Sequence, residues 1–546
     1  MLCLKQIKKL GKGWIMAEQK LKKLPLSITT FSEIIQENYI YVDKTEYIYN
    51  MVTGSKYYFL SRPRRFGKSL LVSTLAELFS GNKELFKNLW IDKSDYDWQK
   101  YPVIRFDFSS IGHRMTADLI TNIDVRLDTI ARDYKLDVSG YPSIDSKFQE
   151  IIIQLSKINK VAILIDEYDK PILDHIDNIE EAKAQCEVLK SLYSVIKGSD
   201  QYIRFVLLTG VSKFAQTSIF SGLNNLNDIC MDRRYAVMLG YTHKELVQYF
   251  TPYIERLAQA YQKTIAEIIE DITNHYDGYQ FAEDSERMFN PFSVMRCFDK
   301  QKLGNYWFAS GTPTFLINLI KKGDYDVDSV THPVLNADDL GSFESDNIPL
   351  PSLLFQTGYL TIESYDVQTD NYTLAVPNQE VYRGFTRQLA NVFTSLPVDK
   401  SIQYARRIFK EFLSVDMPKL KQVLQEFFNK MPYTVHIKSE SQLQFVLYAI
   451  FALIGVTVDP EVTTSLGRAD LVVSLPQPSH EALAGTAKLV YVIELKFNGS
   501  AQKALEQIRD KKYYEKYENT DKQIILVGIN FESETKTVSL ESQMSG

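Results

Sequence analysis

Cysteine is scarce in this sequence of 546 residues: there are four, Cys3, Cys186, Cys230 and Cys297, and none stands in a C-x-x-C spacing. The seven histidines form no close pair. A zinc site of the usual spacing and a disulfide framework are therefore excluded, and a reducing compartment is expected. Long apolar runs are missing too. No stretch approaches the roughly 20 residues a membrane helix needs, and the basic start (Lys5, Lys8, Lys9, Lys12) is broken by Gly11 and Gly13 instead of leading into a secretory apolar core. No membrane partner is expected. Repeats of solenoid length are absent. So is an excess of positive charge: the formal net charge is −6, with 62 Lys and Arg against 68 Asp and Glu. That balance excludes a globally basic footprint for nucleic acid but allows a local basic patch.

What is present is enough chain for two or three domains, each large enough to fold without staples. Residues 1–23 read as a tail. Residues 24–246 alternate short apolar runs with longer helical patterns, as an α/β domain with a parallel sheet does. The expected strands are Lys56 to Leu60, Val103 to Phe108, Val161 to Ile165 and Arg204 to Thr209, with helices over Lys68 to Leu78 and Glu180 to Ile196 between them. Residues 247–400 read as a helical and mixed connecting domain. Residues 401–546 read as long helices over Ser401 to Asn429 followed by a compact α/β unit. In that unit a helix is expected over Ser441 to Ile454, strands near Ala469 to Leu475 and Leu489 to Lys496, a loop over Pro476 to Lys488 and a helix over Ala501 to Tyr517.

The first expected strand leads into Ser61-Arg-Pro-Arg-Arg-Phe-Gly-Lys-Ser69 and then into an apolar helical pattern. A Gly-Lys-Ser at the passage from strand to helix is a phosphate-binding arrangement, because the unpaired amides of a helix start attract anions. Gly67 lets the backbone come close, Lys68 reaches the β- and γ-phosphates, and Ser69 ligates Mg²⁺. Arg62, Arg64, Arg65 and Phe66 complete the loop as nucleotide contacts. Arg62 stands where such loops carry their first glycine, so a different loop geometry is expected. Farther on, an apolar strand ends in Asp166-Glu167. Asp166 is assigned to the Mg²⁺ and Glu167 to the attacking water. Ser212 is the candidate sensor of the γ-phosphate. Arg233 and Arg234 are candidates for the cation that offsets charge developing on the transferring phosphoryl group.

Tyr41-Val-Asp-Lys-Thr45, Phe59 to Ser69, Ile165-Asp-Glu-Tyr-Asp-Lys-Pro171 and Thr209-Gly-Val-Ser-Lys213 together resemble the bacterial AAA-ATPase-like family, which typically carries a PD-(D/E)XK domain at its C-terminus. The resemblance spans Leu24 to Leu246 and the C-terminal hundred or so residues, with Tyr276 to Phe281, Asn290 to Ser293 and Trp307 to Pro313 in the same style. It implies an α/β fold with three parts: an N-terminal P-loop NTPase whose parallel sheet is flanked by helices, a mainly helical centre, and an α/β nuclease-like C-terminal domain. It also implies ATP as ligand and a cytoplasmic location, and it names no substrate.

In the C-terminal unit, Gly467-Arg-Ala-Asp470 opens one expected strand and Val492-Ile-Glu-Leu-Lys496 ends the next. Strand alternation puts Glu494 and Lys496 on one face. If the strands are neighbours, Asp470 joins them. Two carboxylates and the Leu495 carbonyl make an oxygen cage suited to Mg²⁺ or Mn²⁺, and Lys496 can position the water that attacks a phosphodiester. This is the D…E-x-K arrangement of the PD-(D/E)XK nucleases. Gln507 matches their glutamine on the following helix, and Glu440 and Glu461 are weaker candidates for an upstream acid. Lys503, Arg509, Lys511 and Lys512 give that helix a basic side able to steer nucleic acid, DNA before RNA. The leading expectation is an ATP-gated, metal-dependent nuclease. The rival is a regulatory ATP switch or scaffold, capable of oligomerisation, whose nuclease-like unit binds nucleic acid or a partner without cleaving it.

Overall fold

The computed structural model describes residues 21–213, 225–307, 316, 319–320, 325, 327–341, 349–432, 437–453, 457–464, 467–475, 488–518, 520 and 522–545. The expected loop over 476–487 and the end of the Trp307 to Pro313 block lie outside them. Among the described residues no helix is long and apolar enough to cross a membrane.

Strands β1 (Tyr57–Ser61), β2 (Val103–Asp107), β3 (Val161–Asp166), β4 (Ile203–Gly210) and the short β5 (Asn227–Asp228) form one parallel sheet in the order β2-β3-β4-β1-β5. β1, β3 and β4 are buried along nearly their whole length, which is why they read as uninterrupted apolar runs, whereas the edge strand β2 alternates. β4 lies between β1 and β3, so the loop leaving β1 and the acidic end of β3 open on the same end of the sheet. Helix Lys68–Phe79 buries Leu71, Val72, Leu75, Leu78 and Phe79, one stripe at helical spacing.

The centre contains helices His243–Tyr261, Ile265–Tyr276 and Pro291–Lys300, capped by Thr242, Thr264 and Asn290. Their apolar faces enclose Ile40 and Val42 from the chain ahead of β1. Beyond them the centre also holds an antiparallel sheet, β6 (Val334–Asn336), β7 (Thr361–Asp366) and β8 (Asn371–Ala375) in the order β6-β8-β7. The sequence pattern there read only as mixed.

The expected run over Ser401 to Asn429 is two helices, Val398–Ser414 and Met417–Lys430. Val415 in the left-handed region and the cap from Asp416 to the Lys419 amide make the break. The C-terminal unit holds more than the two expected strands: β9 (Thr457–Thr464), β10 (Gly467–Ser474), β11 (Lys488–Phe497), β12 (Lys522–Glu532) and β13 (Thr537–Met544) stand in the order β13-β12-β11-β10-β9. Only β11 and β12 are parallel. Alternation along β11 sorts its side chains: Val490 and Val492 pack with Leu505 and Ile508, whereas Tyr491, Ile493 and Leu495 join the core containing Phe412 and Phe445. Helix Ala501–Asp510 is shorter than expected, and the chain turns at Lys512, which has φ +48°. Gly528 lets this helix lie directly on the sheet, since a Cβ there would fall 2.2 Å from the Ala501 carbonyl oxygen.

Candidate nucleotide and metal sites

The loop after β1 continues the sheet for one step, with the Arg62 amide donating to the Gly210 carbonyl at 3.1 Å. Arg62 therefore stays extended. The left-handed turns fall later, at Arg65 (φ +70°) and at Gly67 (φ +104°), which caps helix Lys68–Phe79. Arg64 to Ser69, Glu167 and Lys170 line a cavity of about 410 Å³. Ile28, Ile40, Val42, Leu239, Phe292 and Met295 line it too. Charged and apolar side chains in one cleft suit a nucleotide's phosphates and base.

Lys68 is buried, and its ammonium donates to the Arg62 and Pro63 carbonyls at 2.7 and 3.1 Å. Burial lowers its pKa, opposed by Asp166, Glu167 and Asp169. Asp166 is buried beside it. One of its oxygens accepts from the Thr209 hydroxyl at 2.6 Å and the other, Oδ2, has no partner among the described residues. An unpartnered buried carboxylate oxygen fits a Mg²⁺ shell. Glu167 sits in the left-handed region at φ +53°, a conformation that costs a non-glycine residue on the order of 1 kcal/mol and clusters at functional sites. Burial raises its pKa, with Lys68 pulling the other way.

Arg62, Ser212, Arg233 and Arg234 do not line this cavity, and Phe66 does so with its ring engaged. Arg62 is buried in the protein, donating to the Ser61 and Cys230 carbonyls at 2.9 and 2.7 Å, with its guanidinium 4.3 Å from the Phe281 ring. It does not line the cavity, and burial lowers its pKa to about 10. Phe66 reaches the cavity wall, but its ring packs edge-on against Tyr279 and Phe281. Ser212 is fully buried, and its hydroxyl donates to Asp169 at 2.7 Å, so it is a fastening of the β4 end. Arg233 pairs with Glu283 at 2.9 Å, and Arg234 with Asp232 at 2.6 Å, both on the surface.

In the C-terminal sheet, Leu471 pairs with Ile493, so Asp470 and Glu494 follow as cross-strand neighbours. Asp470 accepts the Leu495 amide at 2.6 Å. Glu494 is buried, and its Oε2 has no partner among the described residues. Burial raises the pKa of both carboxyl groups, Glu494 to about 7, and each also feels Glu440. The Lys496 ammonium lies 3.2 Å from Glu494, 3.5 Å from Glu440 and 2.8 Å from the Leu495 carbonyl oxygen. It touches the oxygens that a divalent cation would take. Among the described residues no group of three or more His, Cys, Asp or Glu side chains is arranged to hold a metal. The fit to a divalent ion therefore rests on the Asp470 and Glu494 pair with the Leu495 carbonyl, and on the bare Glu494 oxygen.

The family model described as "Predicted AAA-ATPase" covers residues 25–220, and that of the PD-(D/E)XK nuclease superfamily covers residues 438–541. A protein of Azotobacter chroococcum mcd 1, described as "Uncharacterized protein in vnfD 5'region", is 35% identical over 531 residues, which are 95% of this chain and 98% of that protein. The chain belongs to the AAA-ATPase-like family with a C-terminal PD-(D/E)XK domain.

Within this AAA-ATPase-like protein, Thr209, Asp169 and Tyr513 join the two sites without a role assigned from sequence, although Thr209 and Asp169 stand in the motifs that carry the resemblance. Thr209, inside an apolar strand, supplies the hydroxyl that orients Asp166. Asp169 is buried and accepts the Val211 and Ser212 amides at 3.0 and 2.7 Å. Tyr513 receives Gln507 Nε2 at 3.2 Å, and its phenol lies within the field of Glu494, Asp470 and Lys496. Glu440 opens helix Glu440–Ala452, whose Gln444 donates to the Asp470 carbonyl at 2.9 Å. Glu461 lies on β9, and its side chain is outside the described residues. Lys503, Arg509, Lys511 and Lys512 are all exposed.

Proposed function

We propose that this protein is an ATPase whose nucleotide state governs metal-dependent cleavage of nucleic-acid phosphodiesters, DNA before RNA, in the cytoplasm. The observation that carries the reading is that two of the buried carboxylate oxygens without a partner among the described residues stand at the two sites, Asp166 Oδ2 beside Lys68 and Glu494 Oε2 beside Asp470. Each is costly to bury bare and is stabilised by a cation.

At the first site Asp166 and Ser69 would hold Mg²⁺, the amides after Gly67 and the Lys68 ammonium would hold the phosphates, and Glu167 would orient water. At the second, Asp470, Glu494 and the Leu495 carbonyl would hold Mg²⁺ or Mn²⁺, which would supply a polarised water and screen the phosphate. Lys496 would position the attacking water, with Gln507 and Tyr513 nearby.

Governance of one site by the other is supported by continuous packing between them. Pro63 of the phosphate loop lies against Gly358, where a Cβ would fall 2.6 Å away. The Trp307 indole N–H donates to the Arg64 carbonyl at 3.2 Å, and Trp307 packs on Tyr359, which packs on Phe385 of helix Gln379–Thr394. Phe393 of that helix stacks on Phe445, with ring centroids 5.0 Å apart, in the helix that carries Glu440 and Gln444.

The test is cleavage of DNA and RNA with Mg²⁺ or Mn²⁺, with and without ATP, by the wild type and Glu494→Ala. Cleavage that requires Glu494 and responds to ATP supports the reading, and equal cleavage by both proteins removes it. A second reading, an ATP switch that binds nucleic acid without cutting it, is favoured by the two lysine ammoniums resting on main-chain carbonyls. It predicts ATP-dependent assembly with no Glu494-dependent product.

A further inference from the structure

Phosphoryl transfer from ATP needs a cation on the γ-phosphate as charge develops there, and in many P-loop enzymes a neighbouring subunit provides it. In this chain the two surface arginines first suited to that task are engaged by Glu283, Asp284 and Asp232. Arg62 is sealed under Phe281, and Arg65 is exposed with its guanidinium 5.0 Å from the Phe292 ring. Arg64 is different. Like Arg65 it lines the cavity with Lys68, Ser69 and Glu167, but it is the charge of Arg64 that acts on both Lys68 and Glu167. Its backbone is pinned from behind by the Trp307 indole and by Pro63 against Gly358, so the side chain projects from a fixed base.

We infer that Arg64 is the transition-state cation of ATP hydrolysis, supplied in cis by the phosphate loop itself, so that a single chain completes its own ATPase centre. The inference rests on the ATPase reading above. Water attacks the γ-phosphorus in line while Glu167 accepts its proton. The bond from the γ-phosphorus to the β,γ-bridging oxygen breaks, its electron pair leaves with ADP, and inorganic phosphate is released. Arg64 offsets the charge spread over the equatorial and bridging oxygens during that exchange. A planar guanidinium can bridge two such oxygens, which an ammonium cannot.

The experiment uses the full chain and measures binding of a fluorescent ATP analogue, phosphate release over a range of protein concentrations, and trapping of ADP with aluminium fluoride. Arg64→Ala is expected to bind the analogue within a few-fold of wild type, to lose turnover on the order of 10³-fold and to trap no ADP–aluminium fluoride. Arg64→Lys should recover part of the turnover. Arg233→Ala and Arg234→Ala should match the wild type, whose rate per molecule should not change with concentration. Wild-type turnover by Arg64→Ala overturns the assignment, as does a rate per molecule that rises with concentration and disappears in Arg233→Ala. A wild-type protein that binds no ATP, or binds it without hydrolysing it, defeats the ATPase reading and this inference together. Wild-type hydrolysis that Arg64→Ala leaves unimpaired defeats only the inference.

Discussion

Thr209 on β4 donates its hydroxyl to Asp166 on the neighbouring β3 at 2.6 Å, and this one bond decides which carboxylate oxygen of Asp166 is left bare. The donor holds Oδ1 and leaves Oδ2 for a cation. Thr209→Val keeps the shape and deletes the donor, so a buried acceptor is left unpaired at a cost of about 1–3 kcal/mol. The expected result is a lower melting temperature with Mg²⁺-ATP bound several-fold more weakly. Glu167→Gln should behave differently: it keeps nucleotide affinity and loses turnover by on the order of 10²-fold or more, because only proton acceptance is removed. Parallel binding and phosphate-release assays separate the two. Equal losses of binding in both variants would contradict the division of labour between Asp166 and Glu167.

At the C-terminal site the Lys496 ammonium competes with a divalent ion for the Leu495 carbonyl oxygen, 2.8 Å away, while it draws on Oε1 of Glu494 at 3.2 Å. Glu494→Ala should abolish Mn²⁺ binding measured by calorimetry, and cleavage with it. Lys496→Ala should bind Mn²⁺ at least as tightly as wild type while cleavage falls on the order of 10²-fold. A Lys496→Ala protein that loses the metal would mean that the lysine builds the cage instead of competing for it.

How much of these sites could be read in advance follows from the range of the contacts that make them. Asp166 and Glu167 close a strand apolar on both faces, and Asp470 and Glu494 meet through strand alternation, so short-range pattern was sufficient to find them. Arg62 was misplaced because its fate depends on the Cys230 and Tyr235 carbonyls and on Phe281, all distant in sequence. Ser212 looked like a sensor until Asp169, on another strand's exit loop, claimed its hydroxyl. Strand β12 carries the apolar run Ile524 to Ile529, yet its role emerges only from parallel pairing to β11, where Gly528 stands opposite Glu494. Tyr513 comes to Gln507 because the helix stops at Asp510 and the chain reverses at Lys512, a bend with no glycine or proline to announce it.

Glu380 offers a test of the joint between the two sites. It is buried, accepts the Trp307 amide at 2.8 Å together with the Tyr306 amide, and burial raises its pKa to about 7. A carboxyl with a folded pKa above its unfolded one, near 4.5, holds its proton longer in the native state. Its contribution is therefore full below about pH 4.5 and is lost as pH rises through about 7. The melting temperature should fall across that window by an amount reflecting roughly 1–3 kcal/mol. Glu380→Gln retains an acceptor for both amides and should flatten the dependence, leaving the variant more stable than wild type at pH 8. Identical pH profiles for the two proteins would rule out Glu380 as the titrating group.

Trp307 gives the most selective probe of communication, because it touches the back of the phosphate loop without touching either set of acidic residues. Its indole N–H reaches the Arg64 carbonyl while its ring packs on Tyr359, so Trp307→Phe removes a hydrogen bond worth about 1 kcal/mol and keeps most of the aromatic contact. If a loop shift on ATP binding passes through this bond to helix Gln379–Thr394 and then to Phe445, the variant should bind ATP within a few-fold of wild type and cleave equally in Mn²⁺ without ATP. The ratio of cleavage with and without ATP should nevertheless fall by at least half. That ratio is informative because coupling is a difference between two states, so a mutation that weakens both equally leaves it unchanged. A ratio equal to that of wild type would place the communication outside the Trp307 contact, in Pro63 against Gly358 or in Phe66 against Tyr279 and Phe281.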